Sequence, residues 1–89
     1  MSVVFITFEG IEGCGKSTQI ERLAKRLAKV GRSIVQHREP GGTDIGEAIR
    51  KTVKHPPGDA PISPETELLL MNASRAQLVQ QVVRPALAK

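Results

Sequence analysis

The feature that most constrains this chain is a glycine-rich stretch between an apolar run and a helical pattern. It fits the phosphate-binding pattern G-x-x-x-x-G-K-[ST] with the residues Gly10-Ile11-Glu12-Gly13-Cys14-Gly15-Lys16-Ser17. Glycines let the backbone curl so that several N–H groups point at one anion, and a following helix adds its positive N-terminal end. Lys16 would reach the β- and γ-phosphates, and the Ser17 hydroxyl would ligate Mg²⁺. The stretch therefore predicts a loop that binds nucleotide phosphates.

The segments on either side of this phosphate loop predict a strand and a helix. Residues 3–8 are apolar without clear polar alternation, which is typical of a strand buried on both faces of a parallel sheet. Residues 16–29 repeat apolar side chains at the spacing of one helix face, at Ile20, Leu23, Ala24, Leu27 and Ala28. Gly31 is well placed to end this helix in a left-handed cap.

The rest of the chain predicts one further strand and two further helices. Residues 33–38 are expected to form a second strand, followed by a loop that contains Pro and Gly. Thr43 is a candidate N-cap for a helix over 44–54, and Ser63 is one for a broadly apolar helix over 64–84. The order strand–helix–strand–helix predicts an α/β fold with a parallel sheet, of which two strands and three helices are present. Two strands are too few for a stable sheet of this kind.

The composition indicates an incomplete domain. Of 89 residues, 39% are hydrophobic and two are aromatic, which is little material for a parallel sheet covered on both faces. Pro85 should end or kink the third helix, yet residues 85–89 continue a helical pattern without a Gly or Asn stop signal. We therefore expect residues 1–89 to be the N-terminal part of a single, larger phosphate-loop domain.

The charge and the cysteine content narrow the classes of partner and compartment. The net charge is +4 and the pI is about 9.7. No aromatic residues interleave with the basic ones, so we expect a polyphosphate ligand and no nucleic acid. The single cysteine, Cys14, allows no internal disulfide and suits a reducing compartment. Residues 3–8 are too short for a signal peptide and no transmembrane segment is present, so we expect a cytoplasmic protein without a membrane partner.

Three arginines from separate segments, Arg38, Arg50 and Arg75, are candidates for a second phosphate site. Arg75 lies on the apolar third helix, where an unpaired guanidinium is costly and a phosphate would be a good bidentate partner. A salt bridge to Glu65, to Glu67 or to an acid missing from residues 1–89 is the alternative. Arg50 lies on the polar face of the second helix, where the alternative is a solvated surface charge.

Two other side chains are candidates for contacts with a second substrate. The Glu12 carboxylate should point away from bound phosphates and contact a sugar hydroxyl or the second substrate; a solvated loop acid is the alternative. Met71 lies four residues before Arg75 and would set an apolar surface beside a phosphate-binding group. Ordinary core packing is the alternative for Met71. Cys14 is expected to be only a small loop residue.

Three blocks of the sequence resemble the thymidylate kinase family. They are Phe8-Glu9-Gly10-Ile11-Glu12-Gly13-Cys14-Gly15-Lys16-Ser17-Thr18-Gln19, then Arg38-Glu39-Pro40-Gly41-Gly42-Thr43, then Glu67-Leu68-Leu69-Leu70 with Ala73-Ser74-Arg75-Ala76-Gln77 and Arg84-Pro85-Ala86-Leu87. The blocks follow the family's order and spacing across essentially the whole chain, and the second and third are far more specific than the phosphate loop. Position 71 departs from the family, in which a Phe that stacks on thymine is usual, although a Met thioether can also cover a base face.

The resemblance implies phosphoryl transfer from ATP to dTMP with Mg²⁺, a five-stranded parallel sheet and a homodimer. It implies three catalytic residues, Lys16, Arg50 and Arg75. The ATP phosphates would be held by Gly10, Ile11, Glu12, Gly13, Cys14, Gly15, Lys16, Ser17 and Thr18, and the metal by Ser17. The dTMP sugar, base and phosphate would be bound by Glu12, Arg38, Glu39, Pro40, Met71, Arg50 and Arg75.

The family's Asp-Arg motif, lid and adenine-binding loop have no counterpart in residues 1–89. The piece alone is therefore expected to be inactive, and its two strands are not expected to pair because the family's third strand lies between them. Three alternatives stay open: a kinase for another small nucleotide, a regulatory module that binds a nucleotide without phosphoryl transfer, and a natural short chain that pairs with a partner subunit.

Overall fold

A computed structural model describes residues 3–88 of the chain. The three predicted helices are present as α1 (Lys16–Lys29), α2 (Asp44–Lys54) and α3 (Pro64–Leu78). A π-helix (Val79–Val83) and a single turn, α4 (Arg84–Leu87), continue from α3. Within the described part of the chain, no helix is both long enough and apolar enough to cross a membrane. Residues 1, 2 and 89 of the predicted domain lie outside the described residues.

The C-terminus of α1 is capped as the position of Gly31 predicts. Gly31 has a φ of 84°, which is the left-handed conformation that glycine adopts without steric cost. Its N–H donates to the Ala28 carbonyl at 3.0 Å, and the Arg32 N–H donates to the Leu27 carbonyl at 3.0 Å. These two bonds satisfy carbonyls that would otherwise have no hydrogen-bond donor at the end of a helix. The arrangement is known as the Schellman motif.

The N-termini of α2 and α3 carry the predicted side-chain caps. The Thr43 Oγ1 accepts a hydrogen bond from the Gly46 N–H at 2.8 Å, and the Ser63 Oγ accepts one from the Thr66 N–H at 3.1 Å. Both helices also carry acidic residues in the first turn, at Asp44, Glu47, Glu65 and Glu67. Negative charge at this end offsets the helix dipole, so the local sequence alone specifies where both helices begin.

The third predicted helix departs from α-helical geometry before its predicted end at residue 84. Between Val79 and Val83 the backbone is a π-helix, and the Arg84 N–H donates to the Val79 carbonyl, five residues back. Pro85 explains the change, because it has no N–H and its ring clashes with the carbonyl four residues earlier in a regular α-helix. The wider turn relieves this conflict, and the helical backbone passes Pro85 into α4 instead of stopping there.

The predicted α/β fold with a parallel sheet is wrong for this structure, because residues 3–88 contain helices and no strand. Residues 3–8 and 33–38 have no regular secondary structure, and apolar side chains that a sheet would bury are exposed, such as Phe5 at 63% and Val35 at 56%. A strand persists only when a neighbouring strand satisfies its backbone N–H and C=O groups. Neither segment meets such a neighbour within the described residues.

Two compact units divide the described chain, the first ending at Gln36 and the second beginning at His37. In the first unit α1 has no fully buried residue, and its predicted apolar face is half-buried at Ile20, Leu23, Ala24 and Leu27. In the second unit α2 packs on α3, with Leu78 at 5% and Ser74 at 0% exposure. The broadly apolar third helix is not buried on all sides within the described residues, since Leu68 and Leu69 are exposed.

Candidate functional site

The phosphate loop of the first unit has the curled backbone that its glycines predict. Gly13 and Gly15 have φ values of 80° and 89°, a region that other residues rarely adopt. Gly15 is the N-cap of α1, and the Cys14 N–H closes a turn onto the Ile11 carbonyl at 3.3 Å. The Lys16 Nζ donates to the Gly10 carbonyl at 3.2 Å. The lysine therefore bends back across the loop that precedes it.

Gly10 and Cys14 show how closely this loop folds on itself. A Cβ placed on Gly10 would lie 2.6 Å from the Cys14 Sγ, so the turn requires glycine at position 10 or a shift of the thiol. The thiol itself is exposed, as are the neighbouring side chains of Ile11 and Glu12. Cys14 thus fits its expected place as a small loop residue, and the exposure of Glu12 is compatible with both roles considered for it.

The first turn of α1 follows directly on the glycines and carries no acidic residue. Ser17 and Thr18 lie there with exposed side chains, next to the N–H groups that the start of a helix leaves without intrahelical partners. Among residues 3–88 no group of three or more His, Cys, Asp or Glu side chains could hold a metal ion. Ser17 nevertheless fits Mg²⁺, because this ion keeps several waters and takes one or two protein oxygens together with substrate phosphates.

In the second unit, the predicted site residues Arg50 and Arg75 contact loop 38–43, which contains Arg38, Glu39 and Pro40. The peptide bond between Glu39 and Pro40 is cis. Arg75 of α3 forms a bidentate ion pair with Glu39, in which Nη2 donates to Oε2 at 2.6 Å and Nε donates to Oε1 at 3.1 Å. Arg38 pairs with Glu47 of α2 through Nη2 and Oε1 at 2.7 Å. Arg50 of α2 donates from Nη1 to the Pro40 carbonyl at 3.0 Å. Each arginine thus contacts this loop or belongs to it.

The backbone of the two glycines in the loop is held by side chains from both helices. The Gly41 N–H donates to the Ser74 Oγ of α3 at 3.0 Å, in a buried position. The Gly42 N–H donates to the Glu47 Oε2 of α2 at 2.9 Å. Gly46 is itself required at the contact, since a Cβ there would lie 2.6 Å from the Gly41 carbonyl oxygen. The loop is consequently fixed by side chains from the two helices on which it lies.

Contacts with loop 38–43 lower the pKa of Glu47. The hydrogen bond from Arg38 is the main cause that lowers the pKa of Glu47 below its ordinary value, followed by the bond from the Gly42 N–H and the charge of Arg50. Partial burial opposes the shift but does not cancel it. Glu47 is therefore an anion throughout the neutral pH range.

The structure decides between some of the alternatives left open for the arginines. Arg75 forms an ion pair with Glu39, an acid that was not among the partners considered from the sequence. Arg50 is half-buried and bound to a carbonyl, so it is not a solvated surface charge. Met71 lies one turn before Arg75 on α3 with 37% exposure, so it is not part of a closed core in this unit.

Ser74 and Glu47 also contact loop 38–43, but they were not identified as site residues from the sequence. Glu47 had a local signal, because it lies three residues before Arg50 on the same helix face. Ser74 directly precedes Arg75 in the third block of the resemblance, but a serine within an apolar helix gives no indication of a distant backbone partner. Its contact with Gly41 spans 33 positions in the chain.

Comparisons with known proteins agree with these features. The family model described as Thymidylate kinase matches residues 8–89. A thymidylate kinase of Ectopseudomonas mendocina (strain ymp) is 55% identical over all of this chain and 42% of its own length. Those of Chlorobium luteolum (strain DSM 273 / BCRC 81028 / 2530), at 55% identity, and Prochlorococcus marinus (strain MIT 9313), at 52%, match 97% and 98% of this chain and 39% and 43% of their own lengths. The chain thus spans about two fifths of the curated relatives it matches, and it belongs to the thymidylate kinase family.

Proposed function

We propose that the protein containing this chain transfers a phosphoryl group from ATP to dTMP, giving ADP and dTDP for dTTP synthesis. The observation that carries the proposal is the convergence of Arg38, Arg50 and Arg75 on loop 38–43. A protein that only binds ATP needs one phosphate site, whereas a nucleoside monophosphate kinase needs a second. Family membership and the names of the similar proteins support the same assignment.

The donor nucleotide would be bound by the phosphate loop and the first turn of α1. Backbone N–H groups of residues 10–18 would bind the ATP phosphates, and the Lys16 Nζ would exchange its bond to the Gly10 carbonyl for one to a phosphate oxygen. Ser17 would contribute a hydroxyl oxygen to Mg²⁺. When bound, this ion neutralises charge that develops on the phosphate oxygens during transfer. Lys16 stabilises the same charge, which is the main requirement of phosphoryl transfer.

The acceptor dTMP would be bound by the cluster of the second unit. Arg50 and Arg75 would hold its phosphate; a guanidinium carries five N–H donors, so Arg50 can retain the Pro40 carbonyl while it binds a phosphate oxygen. Residues 38–40 would line the rest of the pocket. Met71 would cover a face of the base through its thioether.

Steady-state rates of the full-length protein with dTMP, dUMP and dCMP test the choice of substrate. We expect the highest kcat/KM with dTMP, and a higher value with another nucleotide would contradict the proposal in favour of a kinase for that nucleotide. Calorimetric titration of the same protein with dTMP separates an enzyme from a regulatory module. No binding of dTMP at millimolar concentration would favour the module.

Further parts of the proposal rest on the family resemblance and on the composition. We place residues 1–89 in the N-terminal part of a single kinase domain. We also propose that the full-length protein is a homodimer, that it is cytoplasmic, and that it has no nucleic acid or membrane partner. Analytical ultracentrifugation of the full-length protein tests the dimer, and a sedimentation coefficient of a monomer at micromolar concentration would contradict it.

A further inference from the structure

The contacts of loop 38–43 alternate between the two helices on which it lies. The side chain of Arg38 is held by α2 and that of Glu39 by α3. The Pro40 carbonyl is then bound from α2, the Gly41 N–H from α3 and the Gly42 N–H from α2. A loop bound in this alternating way cannot follow one helix without losing its contacts to the other. The arrangement fixes the loop at the junction of α2 and α3.

Ser74 provides the buried part of this arrangement. Its side chain is fully inaccessible at 0% exposure, and its Oγ accepts the Gly41 N–H at 3.0 Å. A buried backbone N–H needs a partner, because leaving it without one costs the desolvation of the group. Ser74 directly precedes Arg75, so the residue that holds the loop backbone lies next to a residue proposed to bind the phosphate.

Glu47 provides the charged part through its two carboxylate oxygens. Oε1 accepts from Arg38 at 2.7 Å, and Oε2 accepts from the Gly42 N–H at 2.9 Å. The side chains of Arg38 and Glu47 are 63% and 43% exposed, and ion pairs of this kind contribute little to folding stability. The carboxylate therefore matters chiefly for geometry, because it ties the arginine that begins the loop to the second of its two glycines.

We propose that Ser74 and Glu47 are positioning residues for the monophosphate substrate, which hold loop 38–43 and Arg38 in the geometry that receives it. This inference depends on the proposed function, since the substrate is the dTMP assigned there. Neither residue contacts the nucleotide. Ser74 acts through the Gly41 backbone, and Glu47 acts through Arg38 and the Gly42 backbone.

Steady-state kinetics of the full-length protein test the proposal with the variants Ser74→Ala, Glu47→Gln and Glu47→Ala. The amide introduced by Glu47→Gln would keep an acceptor for the Gly42 N–H and lose the ion pair, whereas Glu47→Ala would remove both contacts. We expect KM for dTMP to rise roughly 5-fold in Ser74→Ala and Glu47→Gln, and further in Glu47→Ala. KM for ATP should stay unchanged, because the phosphate loop contributes none of these contacts.

Two control variants, at the N-cap and in the first turn of α3, separate positioning from general loss of stability. Ser63→Ala removes a helix cap outside loop 38–43, so it should lower Tm without raising KM for dTMP. Glu65→Gln removes one exposed charge, as Glu47→Gln does, and should leave both KM values unchanged. A rise in KM for dTMP in either control as large as in the test variants would overturn the proposal.

The remaining outcomes distinguish a failure of the positioning role from a failure of the proposed function. If the wild-type protein phosphorylates dTMP and Glu47→Gln retains the wild-type KM for it, positioning is overturned while the proposed function stands. A parallel rise in KM for ATP and dTMP overturns positioning as well. If the wild-type protein does not phosphorylate dTMP, the function is overturned and the positioning role with it. Should Ser74→Ala fail to fold, the two Glu47 variants decide alone.

Discussion

The two proposed phosphate-binding regions differ in how far apart along the chain their contacting residues lie. The phosphate loop of the first unit is held by contacts such as Lys16 to Gly10, which spans six positions. Loop 38–43 of the second unit is held by Ser74 and Arg75, 33 and 36 positions from their partners. A local loop can be identified from a short pattern, whereas a loop built from distant segments needs two packed helices. The comparison predicts that substitutions in the first region impair ATP chemistry locally, while those in the second also affect folding.

The largest expected effect is that of Lys16→Ala in the full-length protein. Loss of the ammonium that would stabilise phosphate charge should lower kcat about 10³-fold, with little change in Tm, because the exchanged contact is a single exposed hydrogen bond. Coupled measurement of ADP release gives the rate. Lys25→Ala, which removes an exposed lysine on the same helix, serves as the control and should retain wild-type activity. A clear loss of Tm in Lys16→Ala relative to the Lys25→Ala control would contradict a purely local role of Lys16.

The next largest effect is expected for Arg75→Ala in the second region. It removes a proposed phosphate ligand and the ion pair to Glu39 together, so kcat/KM for dTMP should fall roughly 10²-fold. The same substitution should leave ATP affinity unchanged in calorimetric titrations. Arg84→Ala, at an exposed position in α4, is the control. If Arg75→Ala has the wild-type kcat/KM for dTMP, Arg75 does not bind the dTMP phosphate.

Substitutions at two glycines, one in each unit, test whether changes in loop 38–43 affect folding stability more than changes in the first unit. Gly31 and Gly41 have φ values of 84° and 136°, but a Cβ meets open space at Gly31 and overlaps the Glu47 carboxylate at Gly41. Gly31→Ala should reduce the free energy of unfolding by about 1 kcal/mol and Gly41→Ala by about 2 kcal/mol. Denaturant unfolding of the full-length protein measures both values. Equal losses would show that the contacts of loop 38–43 add no constraint beyond backbone conformation.

The smallest expected effect concerns the titration of Glu47. Its pKa in the folded protein lies below the ordinary value of 4.5, chiefly because of Arg38. The stabilisation is therefore complete above the unfolded pKa and is lost as pH falls through the lower folded pKa. The wild-type protein should lose more stability than Glu47→Gln as pH falls below about 4.5, which thermal unfolding at a series of pH values measures. Parallel pH profiles would exclude a contribution of this carboxylate.

The helices and their caps were predictable because each depends on residues a few positions apart. Thr43 and Ser63 begin α2 and α3 as expected, and Gly31 ends α1. The α/β fold with a parallel sheet was predicted wrongly. The apolar character of residues 3–8 and 33–38 indicates segments that could form strands, although the family resemblance also implied that these two would not pair with each other. Pro85 was expected to end or kink the third helix. The helical backbone passes Pro85 but changes to a π-helix over Val79–Val83 before it.

The amino-acid sequence by itself determined the curled glycine loop, the starts of the three helices, the ends of α1 and α2, and the arginines that carry the proposed second site. Glycine conformation, capping and charge are properties of single residues and their near neighbours. Only the tertiary structure decided that Arg75 pairs with Glu39, that Arg50 binds the Pro40 carbonyl and that Ser74 holds the Gly41 backbone. These contacts depend on how α2 packs on α3. That packing brings together residues whose separation along the chain carries no periodic signal.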